Sequence, residues 1–216
     1  MNKKLRSELI EIAKKVIENH DPSHDFLHAF RVLLMAEKIA ISENADLDII
    51  VPSALFHDVK NFPKNHRKRA LSSSESAKFT SEILNKISTF PKNKISNVIE
   101  SIESCSFSKG IMPELLEAKI LQDADGLEAT GAISIMRTFS SSGGMGRQFY
   151  EPNDPFVLKR NHDDSIYALD LFFSRLLQVE KRMHTKIAKK IAKRRTMFLG
   201  KFLRELEMEL LEVEGK

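Results

Sequence analysis

The chain has 216 residues, with 34 Lys+Arg against 30 Asp+Glu, a net charge of +4, and is 42% hydrophobic and 30% charged. That balance excludes a disordered chain, and the length suffices for a buried core without cross-links. A single cysteine, Cys105, excludes an internal disulfide framework and fits a reducing compartment, and no apolar run nears the roughly 18 residues of a membrane span.

Met1-Asn2-Lys3-Lys4-Leu5 runs early into charge and lacks the apolar segment of a signal peptide, which predicts a cytoplasmic protein. Leu5, Leu9, Ile12, Val16 and Ile17 step by three and four, one face of an opening helix. Asp21-Pro22 reads as the next helix start: Asp21 accepts orphan backbone N–H groups and Pro22 loses nothing at the first helical position. That helix carries Leu27, Phe30, Leu34, Ala36 and Ile39. A third is predicted from about Asp46 to Val59, with Pro52 kinking it or lying near a start. Ser72-Ser73-Ser74-Glu75 has the composition of a cap with an acidic first turn, leading to Ala77, Ile83, Leu84 and Ile87. After Pro91, Ile95, Val98, Ile99 and Ile102 form another apolar face, and Pro113 opens a helix through Leu115, Leu116, Ile120 and Leu121. Residues 124–139 read as a buried helix rich in small side chains. Ser-Ser-Ser-Gly-Gly-Met-Gly at 140–146 is the main predicted flexible loop, extended by Pro152 and Pro155. Two further helices are expected, roughly over 162–179 and 184–213. Alternating β-type runs are nearly absent, so the expected fold is a single all-α domain over residues 1–216, a bundle of about eight helices.

The last helix is lopsided in charge. Residues 181–204 hold ten Lys/Arg and no Asp or Glu, and Glu205, Glu207, Glu209, Glu212 and Glu214 follow. Ile187, Ile191, Leu199, Leu203, Leu206 and Leu210 give it an inward stripe, so its basic side reads as a solvated face of a packed helix. A nucleic-acid surface is the competing reading, but +4 over the whole chain is too small to require one. Phosphorylated small molecules suit the same balance.

Among seven histidines, His57 stands out, because with Asp58 it closes the apolar run Ala54-Leu55-Phe56. An imidazole and a carboxylate there are costly unless paired or bound to a metal. Adjacent helical residues diverge by about 100°, so both reach one ion only near a helix end or on a cleft wall. A third ligand must come from elsewhere, and His28 is the best candidate. A fourth is available in Gln122-Asp123-Ala124-Asp125-Gly126-Leu127, where two carboxylates again border apolar residues. Two imidazoles and two carboxylates form a mixed N/O site suited to Mn²⁺, Fe²⁺, Zn²⁺ or Ni²⁺.

His28, then His57-Asp58, then Asp125, resembles the ordered H…HD…D set of the HD-superfamily metal-dependent phosphohydrolases. Ser23-His24-Asp25-x-x-His28-x-x-Arg31-Val32, Leu55-Phe56-His57-Asp58-Val59 and the stretch from Leu121 to Ile133 are similar to that family's motifs, in particular those of its small prokaryotic members. Asn153-Asp154-Pro155 and the closing Ala192-Lys193-Arg194-Arg195-Thr196 also look like that subgroup. The resemblance implies an HD-domain helical bundle with one divalent ion (Mn, Fe, Ni, Zn or Mg, with Mn favoured) held by His28, His57, Asp58 and Asp125. His57 and Asp58 are then the catalytic pair. Asp123 competes with Asp125 for the last place, and otherwise orients an imidazole N–H. The implied reaction is hydrolysis of a phosphoester or phosphoanhydride, with hydroxide supplied at the metal and a nucleotide as the substrate class.

Lys60, Lys109 and Arg147 are the candidates for holding phosphate: Lys60 follows the His-Asp pair by two residues, Lys109 lies in a turn-like break, and Arg147 follows the glycine-rich loop. The chain departs from some relatives in two ways. No carboxylate follows the pair in Val59-Lys60-Asn61, and Cys105 stands where some relatives carry His. Both departures motivate the alternative of a regulatory protein that binds metal and nucleotide without turnover; a nucleic-acid-binding module using 181–204 is the other. No membrane partner is expected, and an apolar-rich helical surface is compatible with a homodimer.

Overall fold

The computed structural model describes residues 1–17, 23–62, 67–106, 110 and 112–213. Among these, nine α-helices and short 3₁₀ turns form the structure, and the only β pairing is an isolated bridge between Gln148 and Tyr167. The chain packs as two compact units, Met1–Asp125 and Gly126–Lys216.

In the first unit, α1 (Lys3–Val16) buries Leu5, Leu9 and Ala13, at the spacing that places one residue per turn on one face. α2 (Phe26–Glu43) buries His28 on the same face as Ala29, Val32, Leu33, Ala36, Ile39 and Ala40. It ends at Asn44, which adopts the left-handed conformation (φ 54°) that Asn tolerates better than most side chains. α3 (Leu47–Phe56) is buried at every position from Ile49 to Phe56. A helix without a polar face must be wrapped, and α1, α2, α4 (Ser72–Lys86) and α5 (Ile95–Glu103) pack around it. Pro52 lies inside α3, where it removes one backbone donor. Lys94 anchors the start of α3 through Asp46 at 2.7 Å and Asp48 at 2.6 Å. α6 spans Leu116–Leu127.

The second unit holds α7 (Gly131–Gly144), the short α8 (Asp170–Ser174), a 3₁₀ segment (Leu176–Arg182) and α9 (Lys186–Val213). Its core is Leu169, Phe172, Leu176, Leu199 and Leu203, with Phe172 stacked on Phe202 at 5.7 Å.

Five expectations change. Residues 124–139 are not one helix: α6 ends at Leu127 and α7 begins at Gly131, whose φ of +70° breaks the helix there. The third helix stops at Phe56 rather than Val59. The predicted start at Asp21-Pro22 lies outside the described residues; α2 takes Asp25 as its cap. α7 runs through the Ser-Ser-Ser-Gly-Gly stretch, because Gly131, Ser134, Thr138 and Ser142 continue one buried face at helical spacing. Residues 162–169 are irregular chain and turns, with Tyr167 in the isolated bridge, instead of helix. There the Asp163 carboxylate accepts from both the backbone N–H and the hydroxyl of Ser165, a local pairing that competes with helix.

Candidate metal centre

Three helix ends supply the cluster. The Asp25 carboxylate accepts the His28 N–H at 2.8 Å, fixing the first turn of α2 and the histidine it carries. α3 ends at Phe56, so His57 is its C-cap residue, and Asp58 lies with it in the turn that follows. That is the helix-end geometry the adjacent pair requires to converge. Asp125 lies in the last turn of α6.

Both imidazoles are buried and meet edge-on, with ring centres 5.3 Å apart. One ligand atom from each of His28, His57 and Asp125 lies within 4.8 Å of the others. Asp125 Oδ1 is 3.5 Å from His28 Nε2 and 3.7 Å from His57 Nε2. Asp58 Oδ2 is 3.9 Å from His28 Nε2 and 3.7 Å from His57 Nε2. These separations are long for hydrogen bonds, but two atoms each about 2.0–2.2 Å from a shared ion stand about 3–4 Å apart. The rings are closed off from solvent, whereas the side chains of Asp58 and Asp125 are 31% and 30% exposed, so the cluster opens on its carboxylate side.

His57 is oriented for ligation. Its Nδ1–H donates to the Ala54 carbonyl at 2.9 Å, while Nε2 is buried and has no hydrogen-bond partner among the described residues. That is the arrangement of a ligating histidine, whose second nitrogen is held by a backbone oxygen. Burial disfavours a charged ring, but Asp58, then Asp125 and the Ala54 carbonyl, outweigh it and push His57 up to about 9. Burial likewise works against charge on Asp58, yet His57 and then His24 pull its carboxyl below the usual range. The cluster therefore selects positive charge at the point where the rings and carboxylates converge, and the donor set fits a divalent cation.

Asp123 is fully buried on another side of α6, and it is Asp125 that joins the histidines. Lys60 is half-buried, with its backbone N–H on the Ser76 hydroxyl and its ammonium 4.4 Å from the centre of the Phe79 ring. Lys109 lies outside the described residues, as do His20 and His66. Arg147 belongs to the second unit, where its backbone N–H donates to the Ser142 carbonyl. Cys105 is buried, and its thiol is pushed well above the ordinary range by burial first and then by Asp125 and Asp58. One contributor was not read from the sequence: the Ala54 carbonyl is a backbone group and leaves no sequence signature. His24, whose spacing of four residues puts it on the same face as His28 and marks it as a supporting histidine without a metal role of its own, brings its Nε2 to 3.9 Å from Asp58 Oδ2.

Residues 25–130 match the HD domain family model. The chain is similar to the protein YpgQ of Bacillus subtilis, 30% identical over 203 residues that span 94% of this chain and 92% of YpgQ. The crystal structure of YpgQ in complex with ADP superposes with a TM-score of 0.72, at 30% identity and 95% coverage of each chain. The crystal structure of an HD-superfamily hydrolase from Bacillus thuringiensis superposes with a TM-score of 0.73, at 28% identity, covering 96% of this chain and 97% of that one.

Proposed function

We propose that this chain, which belongs to the HD-domain family, is a metal-dependent phosphohydrolase acting on a nucleotide. The observation that carries the reading is the convergence of His28, His57 and Asp125 within 4.8 Å, with Asp58 beside both rings. His28, His57, Asp58 and Asp125 would hold one divalent ion; their mixed N/O chemistry suits Mn²⁺, Fe²⁺, Zn²⁺ or Ni²⁺, and the family resemblance favours Mn²⁺ among them. Such an ion supplies a Lewis acid for a phosphoryl oxygen and lowers the pKa of a coordinated water from about 15.7 towards about 7.

The chain's own residues do the rest. Ala54 holds the His57 ring in place, and Asp25 holds the turn that carries His28. Asp58 and Asp125 bring two negative charges to the open side of the cluster, which balances a divalent cation. His57 and Asp58 form the catalytic pair as two of the residues that would hold that ion, and the His24 ring stands beside Asp58 with Nε2 3.9 Å from Oδ2.

The nucleotide assignment is supported by the YpgQ complex with ADP, a structure 30% identical to this chain. Lys60 and Lys109 are assigned to phosphate. A half-exposed ammonium on an aromatic ring gains about 0.5–1 kcal/mol, whereas a charged hydrogen bond gains about 1.5–3 kcal/mol, so phosphate draws Lys60 off Phe79.

The test is release of phosphate and pyrophosphate from a panel of nucleotides with added Mn²⁺, comparing wild type with Asp58→Asn. Turnover by the wild type alone is expected. Equal turnover by both proteins contradicts the assignment. The absence of a carboxylate in Val59-Lys60-Asn61 favours a second reading, binding of metal and nucleotide without turnover, and a metal-loaded wild type that binds nucleotide but releases nothing from it would establish it.

A further inference from the structure

α6 ends on a crowded carbonyl. Its last residue, Leu127, is buried, and its C=O accepts the Thr130 hydroxyl at 2.6 Å, the Arg195 Nη1–H at 2.8 Å and the Thr130 N–H at 3.2 Å. The last four carbonyls of a helix have no partner within it, so donors from outside decide how firmly its final turn holds. This turn has a weak point: Gly126 lies inside it, between Asp125 and Leu127, and glycine is a poor helix former. Thr130 is a local donor, whereas Arg195 reaches in from α9 and sets a cation at the negative end of the helix dipole. The Arg195 stem lies along Gly131, where a Cβ would stand 3.1 Å from its Cγ, 3.2 Å from its Cβ and 3.4 Å from its Cδ. Burial pushes the guanidinium below its usual pKa, and the buried Glu128 carboxylate works the other way. The side chain bears that burial and ends on the α6 carbonyl rather than in solvent.

We infer, resting on the metal centre proposed above, that Arg195 is a positioning residue for it: by clamping the Leu127 carbonyl it fixes the last turn of α6, and with it Asp125, two residues earlier. Arg195 acts through the backbone of that turn and is not itself a ligand. Asp125 offers one oxygen that stands 3.5 Å from His28 Nε2 and 3.7 Å from His57 Nε2. Metal–ligand distances are tolerated only within about 0.2 Å, so a final turn that frays at Gly126 carries the carboxylate out of reach long before the fold is lost. A purely structural role for Arg195 predicts the opposite order, a lowered melting temperature in a chain that binds the ion as well as before.

The test is a Mn²⁺ titration of the chelator-stripped full chain, followed by the electron paramagnetic resonance signal of the free ion, beside a thermal melt of each protein. Arg195→Met keeps a stem against Gly131 and removes the donors, and Mn²⁺ affinity should fall about tenfold or more. Arg195→Lys keeps a charge and a donor and should recover part of that loss. Two controls should bind Mn²⁺ as the wild type does. Arg194→Met removes an exposed charge from the same helix, and Phe202→Leu loosens the stack on Phe172 without touching Leu127. A wild type that binds Mn²⁺ beside an Arg195→Met that binds it equally, or controls that lose as much affinity as Arg195→Met, would overturn this inference and leave the metal centre standing. A wild type that binds no Mn²⁺ would overturn the metal centre itself, and the inference with it. Should Arg195→Met not melt cooperatively, Thr130→Val removes another donor from the same carbonyl; a several-fold loss of Mn²⁺ affinity is expected there, and an unchanged affinity overturns the inference.

Discussion

The two nitrogens of His57 have separate tasks. Nδ1 is tied to Ala54, which leaves Nε2 facing two carboxylates at 3.7 Å. The side chains of this cluster were legible in the sequence, because a His-Asp pair closing an apolar run has few inexpensive explanations. Which of two nearby carboxylates joins it was legible only through family resemblance, and the structure brings in Asp125 while Asp123 stays buried elsewhere. The Lys60 ammonium on Phe79 was not legible, since a lysine two residues past the pair does not specify where its long side chain rests. Lys60→Ala should raise KM for the nucleotide several-fold, with kcat and Mn²⁺ binding little changed; steady-state kinetics beside a metal titration check this. A fall in kcat at unchanged KM would place Lys60 in the chemical step instead.

Helices were legible where apolar spacing was strong and misread where small polar residues did two jobs. The serines at 140–142 looked like loop, but Ser142 extends the buried face of α7. The aspartates and serine at 163–165 sat within a helical apolar pattern, yet their local hydrogen bonds won. Gly131 opens α7 with φ +70°, and a Cβ there would stand 3.1 Å from Cγ of Arg195, whose guanidinium donates to the Leu127 carbonyl. Gly131→Ala should therefore destabilise the protein by about 1–3 kcal/mol through both strain and crowding, read as a lowered denaturation midpoint. Asp170, at the start of α8, is fully buried and accepts from Arg160 at 2.5 and 2.6 Å and from the Asp163 N–H. Asp170→Ala leaves Arg160 without its carboxylate and should cost about 3–5 kcal/mol by the same measurement.

At the scale of the whole chain, the all-α class was legible from the absence of strand patterns, whereas the division into units at Asp125 was not, because no linker composition marks it. No helix among the described residues is long and apolar enough to cross a membrane. Resistance to acid depends partly on the loops of the second unit. The backbone N–H groups of Lys159, Leu158 and Arg160 hold the Asp154 carboxyl below its usual range, and the Ser165 hydroxyl and N–H do the same for Asp163. A lowered folded-state pKa stabilises the fold above the ordinary carboxylate range, and that stability is lost as pH falls through the folded value. Thermal melts should therefore shift downward in acid, and Asp154→Ala should reduce that dependence. The most direct test of the metal centre is equilibrium Mn²⁺ binding to the chelator-stripped full chain, wild type beside His57→Ala. One ion per wild-type chain, with affinity at least about a hundredfold weaker after the substitution, is the expected result. Equal binding by both proteins, or two ions per wild-type chain, would contradict a single centre built on His28, His57, Asp58 and Asp125.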